Sequence, residues 1–277
     1  MRGLLLLLAV GVLSSLAAPA VAQDTPQNRQ ACVGGESAYS LAQQVAGCTA
    51  VINAGTATTA DLAVAFNNRG LAYQGQNQYA RAIADYDQAI RLKPDFAAAF
   101  YNRGSAYHDQ KQYARAIADY DQAIRLKPDD ASAFNNRGLA YHDQNQYARA
   151  IADYDQAIRL KPDHASAFNN RGLAYQGQNQ YARAIADYDQ AIRLKPDYAL
   201  AFDNRGIAYF LQGKYSRAIA DYDQALRLDG SNAYYCYDRG VAELRLGLSA
   251  KGHADIARAI KANPTVAAER AERGVKP

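Results

Sequence analysis

The sequence has 277 residues, with 31 Lys or Arg and 27 Asp or Glu, so the formal net charge is only +4. Basic and acidic residues alternate along the chain, which excludes the concentrated positive face of a typical nucleic-acid-binding protein. The length suits one elongated array or two small globular domains. We therefore expect no nucleic acid among the partners.

The first 22 residues have the features of a secretory signal peptide. Arg2 supplies a positive charge, residues 4–16 are almost wholly apolar, and small residues precede the bond after Ala22. We predict cleavage there, which leaves a periplasmic or secreted chain without stable membrane insertion. The alternative is an uncleaved anchor, which the short apolar core disfavours because a helix needs about 20 apolar residues to span the bilayer.

Residues 23–62 precede a repeated pattern and are predicted to form an N-terminal cap with one helix. Residues 45–52 align with residues 83–90, in the second half of the first full repeat. Export places the cysteines in an oxidising space, so we predict a Cys32–Cys48 disulfide, which contributes roughly 3 kcal/mol for a loop of this size. Cys236 lies in a different context and is expected to be a buried free thiol.

A sequence repeat then dominates the chain. The segment YARAIADYDQAIRLKPD recurs unchanged at intervals of 34 residues, and the motif Asn-Arg-Gly recurs in step with it. The identical copies begin at Tyr79, Tyr113, Tyr147 and Tyr181, and a fifth, which diverges towards its end, begins at Tyr215. A fixed period of this length is the signature of a stacked repeat architecture.

Each period is predicted to form two helices. Phe66, Gly70 and Tyr73 fall at i, i+4 and i+7, on one face of a first helix, and residues 74–78 suit a turn. A second apolar stripe follows, which Pro94 ends because it lacks an N–H group. The stripe consists of Tyr79, Ala82, Ile83, Tyr86, Ala89 and Ile90. We expect Asp95 to cap the next first helix, and Gly70 and Ala82 to let the two helices approach closely.

This combination of period and pattern resembles the tetratricopeptide repeat family. The resemblance rests on the columns of Phe66, Gly70, Tyr73, Ala82, Tyr86, Ala89 and Pro94, and it extends over residues 63 to about 266. It implies an all-α fold, a right-handed superhelical solenoid of stacked antiparallel helix pairs. It also implies that the first helices line a concave face, which typically holds a peptide or a helix of a partner.

The repeats follow one another without linkers in this interpretation. We predict repeats at 63–96, 97–130, 131–164, 165–198, 199–232 and 233–266, of which the last is degenerate. Residues 267–277 are predicted to form a C-terminal capping helix and tail, as expected for the atypical end of a solenoid.

A column of asparagines is the main candidate for partner binding, because the resemblance places it in the concave groove. Its members are Asn68, Asn102, Asn136, Asn170 and Asn204. An amide both donates and accepts, so the column suits contact with a peptide backbone. The alternative is a structural ladder between adjacent helices. The neighbouring column, which varies, is expected to add specificity through Tyr101, Asn135 and Asn169.

Two other sets of residues are expected to be structural. An arginine in every repeat borders the packed face and needs a charged partner, which Asp85, Asp87 and their copies provide. The arginines are Arg69, Arg103, Arg137, Arg171, Arg205 and Arg239. His108 and His142 occupy equivalent places in adjacent repeats, too far apart to share a metal ion. No Lys flanks the Asn column, which disfavours the clamp with which some family members grip a terminal carboxylate.

We therefore expect a non-enzymatic scaffold of the cell envelope that binds a protein or peptide and needs no cofactor. No nucleophile, base and orienting group occur together outside the repeated columns, so the sequence supplies no catalytic residues. The alternative is a structural spacer that self-associates through its uniform outer wall, as a homo-oligomer.

Overall fold

The computed structural model describes residues 25–34 and 38–277, and these contain fifteen α-helices and no β-strand. The predicted signal peptide and the cut after Ala22 lie outside the described residues. The helices are α1 (Pro26–Val33), α2 (Leu41–Asn53), α3 (Thr59–Gly75), α4 (Tyr79–Leu92), α5 (Ala97–Asp109), α6 (Tyr113–Leu126), α7 (Ala131–Asp143), α8 (Tyr147–Leu160), α9 (Ala165–Gly177), α10 (Tyr181–Leu194), α11 (Ala199–Leu211), α12 (Tyr215–Leu228), α13 (Ala233–Arg245), α14 (Ser249–Ala262) and α15 (Val266–Glu272).

Consecutive helices pack as pairs, and the pairs stack in chain order. Each second helix contacts its own first helix and the first helix of the next pair. Neighbouring first helices also contact one another, whereas among the described residues no two second helices do. The first helices therefore line the inner side of the array, where the radius is shorter. The all-α solenoid that the sequence predicted is confirmed.

In the pairs of repeats 1 to 5 a tyrosine of the second helix packs against a glycine of the first. The Tyr86 ring is fully buried, and a Cβ atom built on Gly70 would lie 2.6 Å from its Cε1 atom. Any side chain at Gly70 would therefore displace the ring. The same contact joins Gly104 to Tyr120, Gly138 to Tyr154, Gly172 to Tyr188 and Gly206 to Tyr222. The predicted close approach is confirmed, and the tyrosine is the residue that fills the space.

The turn within each pair depends on one left-handed residue. In the first full repeat this is Asn77, at φ 59°, and the Gln78 N–H donates to the Tyr73 carbonyl at 2.8 Å. Gly75, which the sequence suggested for the turn, remains in α3. The predicted cap at Asp95 is wrong, because α5 begins after Phe96 and has no side-chain cap.

Arginine and aspartate side chains join each repeat to the one before it. Arg103 donates from Nε and Nη2 to Asp119 of its own repeat, at 2.8 and 2.7 Å. Its Nη1 donates to Asp87 of the preceding repeat, at 2.6 Å. The same bridge occurs at Arg137, Arg171, Arg205 and Arg239. The predicted Arg–Asp pairing is confirmed, and it fixes each pair against its neighbour.

The N-terminal cap differs from the prediction, since it contains two helices instead of one. Helix α1 begins at Pro26 after Thr25, whose side chain accepts from the Asn28 N–H. A disulfide joins Cys32 of α1 to Cys48 of α2, as predicted. Because α1 also contacts α3, it takes the place of a first helix. The sequence concealed this because α1 has only 8 residues and lacks the repeated motif.

Cys236 is buried and free, as predicted. Burial raises the pKa of its thiol, although the Arg258 side chain donates to the sulfur. None of the described helices is both long and apolar enough to cross a membrane.

Replacing Gly138 by Leu is expected to lower the free energy of unfolding by about 1–3 kcal/mol, the usual cost of overpacking. A Cβ atom at Gly138 would already lie 2.8 Å from the buried Tyr154 ring. Urea denaturation gives the measurement, and Ala152→Leu, at an exposed position of α8, is the control. An unchanged midpoint in Gly138→Leu would contradict the Gly–Tyr contact.

Replacing Arg137 by Met is expected to cost roughly 3 kcal/mol of stability, because the buried Asp153 carboxylate loses its cation. The double variant Arg137→Met, Asp153→Leu removes both charges and should regain at least half of that loss. Denaturation midpoints of the two variants test this. If the double variant were no more stable than the single one, the pair would not be the source of the effect.

Candidate functional site: the inner groove

Three columns of side chains form what we call the groove face of the first helices. They lie at i, i+4 and i+7 of each first helix, which places them on one side of it. The first column is Val64, Ala98, Ser132, Ser166, Leu200 and Tyr234. The second is Asn68, Asn102, Asn136, Asn170, Asn204 and Asp238. The third is Leu71, Ser105, Leu139, Leu173, Ile207 and Val241.

The asparagines of the second column form a ladder between adjacent first helices. Each donates from Nδ2 to the preceding repeat, as Asn102 does to the Asn67 side chain at 2.9 Å. Asn136 donates to the Tyr101 hydroxyl at 2.8 Å, and Asn170 to Asn135 at 3.1 Å. Asn68 extends the ladder to the Cys32 carbonyl in α1, at 3.2 Å. At the other end Asn204 donates to Asn169 at 2.8 Å.

The neighbouring column lies inside the array and differs from the expectation that it contacts a partner. Asn135 is 8% exposed and Asn169 is 1% exposed, because this column stands where adjacent first helices meet. Both accept from the next asparagine of the ladder. Tyr101 is half-buried and its ring packs against Tyr120 at 5.8 Å between centroids. These three side chains therefore lie behind the groove face and accept hydrogen bonds from the asparagines that line it.

The asparagines of the ladder remain half-buried in repeats 1 to 4. An amide has two N–H donors and two acceptor lone pairs, and the contact with the preceding repeat uses one donor. Asn135 and Asn169 in turn donate to Asn136 and Asn170. A second donor and a second lone pair per amide remain for hydrogen bonds other than these, on a face that is partly open.

Aliphatic side chains accompany the ladder in the open part of the groove. Leu71 is 44% exposed, and Leu139 and Leu173 are half-buried. Val64 and Val33 of α1 are also exposed at the N-terminal end. Over repeats 1 to 4 the groove therefore combines apolar contact surface with amide groups and carries little charge.

Over repeats 5 and 6 the groove is filled by the C-terminal segment of the chain. Ile207 and Val241, which continue the Leu71 column, are fully buried in one cluster with Val266 and Val275. Asn204 is buried as well, and it accepts from Arg273 Nη2 at 2.8 Å. Helix α15 and the residues after it thus cover the inner face of α11 and α13.

A buried charge cluster holds α15 in this position. Arg270 Nη2 lies 2.9 Å from Asp203 Oδ2 and 2.9 Å from Asp238 Oδ2, and all three side chains are buried. Burial and the nearby Asp203 raise the pKa of Asp238 well above its usual range. Arg273 is farther away, with Nη1 at 3.7 Å from Asp203. One guanidinium therefore serves two buried carboxyl groups.

The sequence interpretation missed this cluster, although it contained a signal. Asp203 and Asp238 are the acidic exceptions in columns that otherwise carry Asn or Tyr. They occur in the two repeats that α15 covers, opposite the arginines of the tail. The capping helix and tail that the sequence predicts for residues 267–277 do not by themselves require a charged partner.

The two histidines considered as metal ligands, His108 and His142, pair with a carboxylate instead. His108 Nε2 lies 2.9 Å from Asp143, and His142 contacts the same carboxylate at 3.2 Å. Their hydrogen bonds lower the pKa of Asp143, although its burial opposes this. No group of three or more His, Cys, Asp or Glu side chains suited to a metal ion occurs among residues 25–34 and 38–277.

Comparison with known proteins relates this arrangement to a family. A model described as TPR repeat matches residues 70–111, 104–144 and 140–179, and one described as tetratricopeptide repeat matches 169–233. No curated protein sequence matches the chain.

Several solved structures share the fold. A tetratricopeptide repeat protein from Parabacteroides merdae is 20% identical, with a TM-score of 0.67 over 80% of this chain and 87% of that one. PilW, described as a widely conserved type IV pilus biogenesis factor, is 22% identical, with a TM-score of 0.67 over 73% and 93%. YrrB, described as a TPR protein with an unusual peptide-binding site, is 22% identical, with a TM-score of 0.52 over 66% and 92%.

Replacing Asn102, Asn136 and Asn170 together by Ala is expected to lower the free energy of unfolding. Each lost hydrogen bond contributes ~0.5–1.5 kcal/mol, so the three together give about 1.5–4.5 kcal/mol. Thermal and urea denaturation followed by circular dichroism measure the loss. Ser132→Ala with Ser166→Ala, on the exposed first column, is the control. Wild-type stability in the triple variant would show that the ladder is not structural.

Proposed function

The chain belongs to the tetratricopeptide repeat family, and on that premise we propose that it is a non-enzymatic scaffold that binds a protein or peptide segment in its inner groove. The single observation that carries this proposal is the open groove over repeats 1 to 4, where aliphatic side chains stand beside amides with remaining hydrogen-bonding capacity. Apolar side chains with a few fixed polar groups are the usual lining of a binding site.

The chemistry of the open groove suits an extended or helical segment of low charge. Leu71, Leu139 and Leu173 would contact apolar side chains of the segment, and the amides of Asn68, Asn136 and Asn170 would bond its polar groups. The ladder remains intact in this arrangement, since binding uses the second donor of each amide. A peptide-binding site is also described for YrrB, which has the same fold.

We place this function in an oxidising compartment of the cell envelope. The Cys32–Cys48 disulfide supports the proposal, because disulfides persist in exported proteins and are rare in the cytosol. The signal-peptide features of residues 1–22 agree with it.

The proposed binding surface is tested by introducing negative charges in the groove. Leu139→Asp with Leu173→Asp should weaken partner binding at least tenfold, since burying one Leu side chain contributes about 1.5–3 kcal/mol. Both positions are partly exposed, but Leu173 also packs against the cluster of Tyr175 and Tyr188. Affinities are therefore compared at a temperature at which circular dichroism shows the variant to be fully folded. Ala152→Asp, on the exposed face of α8, is the matched control.

The partner for this titration is obtained by crosslinking in intact cells. A photoreactive amino acid at Leu139 should capture it, and the same group at Ala152 should not. Equal capture from both positions would contradict a groove-specific partner. Capture of a second copy of this chain would instead favour the self-associating spacer.

A further inference from the structure

The groove has two chemically different parts, and the second part is occupied by the chain itself. Over repeats 1 to 4 the second column is asparagine, whereas repeats 5 and 6 add the buried carboxyl groups of Asp203 and Asp238. The residues that cover them are basic and aliphatic: Arg270, Arg273 and Val275. This segment therefore shows which kind of ligand the acidic part of the groove accepts.

The charge cluster under α15 is incompletely paired. Asp203 Oδ1, Asp238 Oδ1 and Arg270 Nε are buried without a hydrogen-bond partner. Buried polar atoms left unpaired are costly. A single guanidinium Nη2 atom lies between the two carboxyl groups, where a second well-placed guanidinium would satisfy the remaining oxygens. A partner segment without the tether of residues 263–265 is free to bring its second guanidinium closer to Asp203 than the 3.7 Å at which Arg273 lies.

Helix α15, which occupies the groove, has little helical stability of its own. Helix α15 has 7 residues and no side-chain N-cap, and so short a helix is not stable without tertiary contacts. It contacts α13 on the inner face and touches α14 only slightly. Residues 263–265 connect it to α14, and its detachment would break no helix pair but would expose Ile207 and Val241.

We infer that residues 266–277 form an internal ligand, which closes the acidic part of the groove until a partner segment displaces it. The partner would carry two arginines three positions apart and a following aliphatic residue, matching Arg270, Arg273 and Val275. This inference rests on the proposed function as a groove-binding scaffold. The tethered copy acts at an effective concentration of about millimolar, so a partner must compete with it.

Hydrogen exchange of the intact wild-type chain tests whether α15 opens. The probe is a synthetic peptide that copies residues 265–277, TVAAERAERGVKP. Without peptide, the amides of α15 should exchange at least tenfold faster than those of α13, through local opening. Saturating peptide should raise α15 exchange further and leave α4 unchanged. The control peptide has both arginines replaced by Ala and should have no effect.

A released variant of the full chain gives the affinity. Arg270→Ala with Arg273→Ala should free the groove, so that the fluorescently labelled peptide binds at least tenfold more tightly than it does to the wild type. Adding Asp203→Asn to this variant should reverse most of the gain, because Asp203 is the carboxylate that Arg270 contacts at 2.9 Å and Arg273 at 3.7 Å. Circular dichroism checks the fold. If the released variant does not fold, hydrogen exchange of the wild type decides alone.

Three results would overturn the inference. Exchange of α15 only at the rate of global unfolding would make the tail a fixed cap. Equal displacement by the Ala-substituted peptide would remove the role of the arginines, and dimers formed by exchange of tails would identify a second copy as the occupant. The crosslinking at Leu139 reports on the open part of the groove, so its failure without failure of the peptide experiment would affect only the proposed function.

Discussion

The contact between a glycine of the first helix and a tyrosine of the second helix in repeats 1 to 5 is the constraint on which the array depends. Because Gly70 has no side chain, the Tyr86 ring lies directly against the first helix and is fully buried. This fixes the separation of the two helices. At that separation an arginine of the first helix reaches an aspartate of the second with two hydrogen bonds. The same geometry recurs because its residues recur.

Polar contacts then connect one pair to the next. Between repeats the arginines reach back to an aspartate of the preceding second helix, on the side away from the groove. The asparagines make the corresponding connection along the inner side. Since removing one partner of a buried polar contact costs more than the contact contributes, both sets specify the stacking register. The consequence is a groove with a regular inner face. A bound segment has to use the amide donors and acceptors that the contacts between repeats leave unused.

Departures from the repeat determine where the groove is open. Asp203 and Asp238 replace amide or aromatic residues and contact Arg270, whereas repeats 1 to 4 retain the asparagine column, with partly exposed leucines in repeats 1, 3 and 4. Uniform repeats thus provide the frame, and a few altered positions divide its inner face into an open neutral part and a closed acidic part.

The amino-acid sequence was sufficient to predict the helix pairs, their stacking, the close approach of the two helices at glycine, the Arg–Asp bridges and the Cys32–Cys48 disulfide. All of these join positions whose separation the period or a short loop fixes. The folded structure was needed to show that Asn135 and Asn169 are buried between adjacent first helices, that α1 is a first helix, and that α15 lies in the groove. The contact between Arg270 and Asp203 spans 67 positions. The repeat period does not predict such a contact. It forms because residues 266–277, which are not part of the repeat, pack on the acidic and apolar surface that the stacked repeats 5 and 6 present.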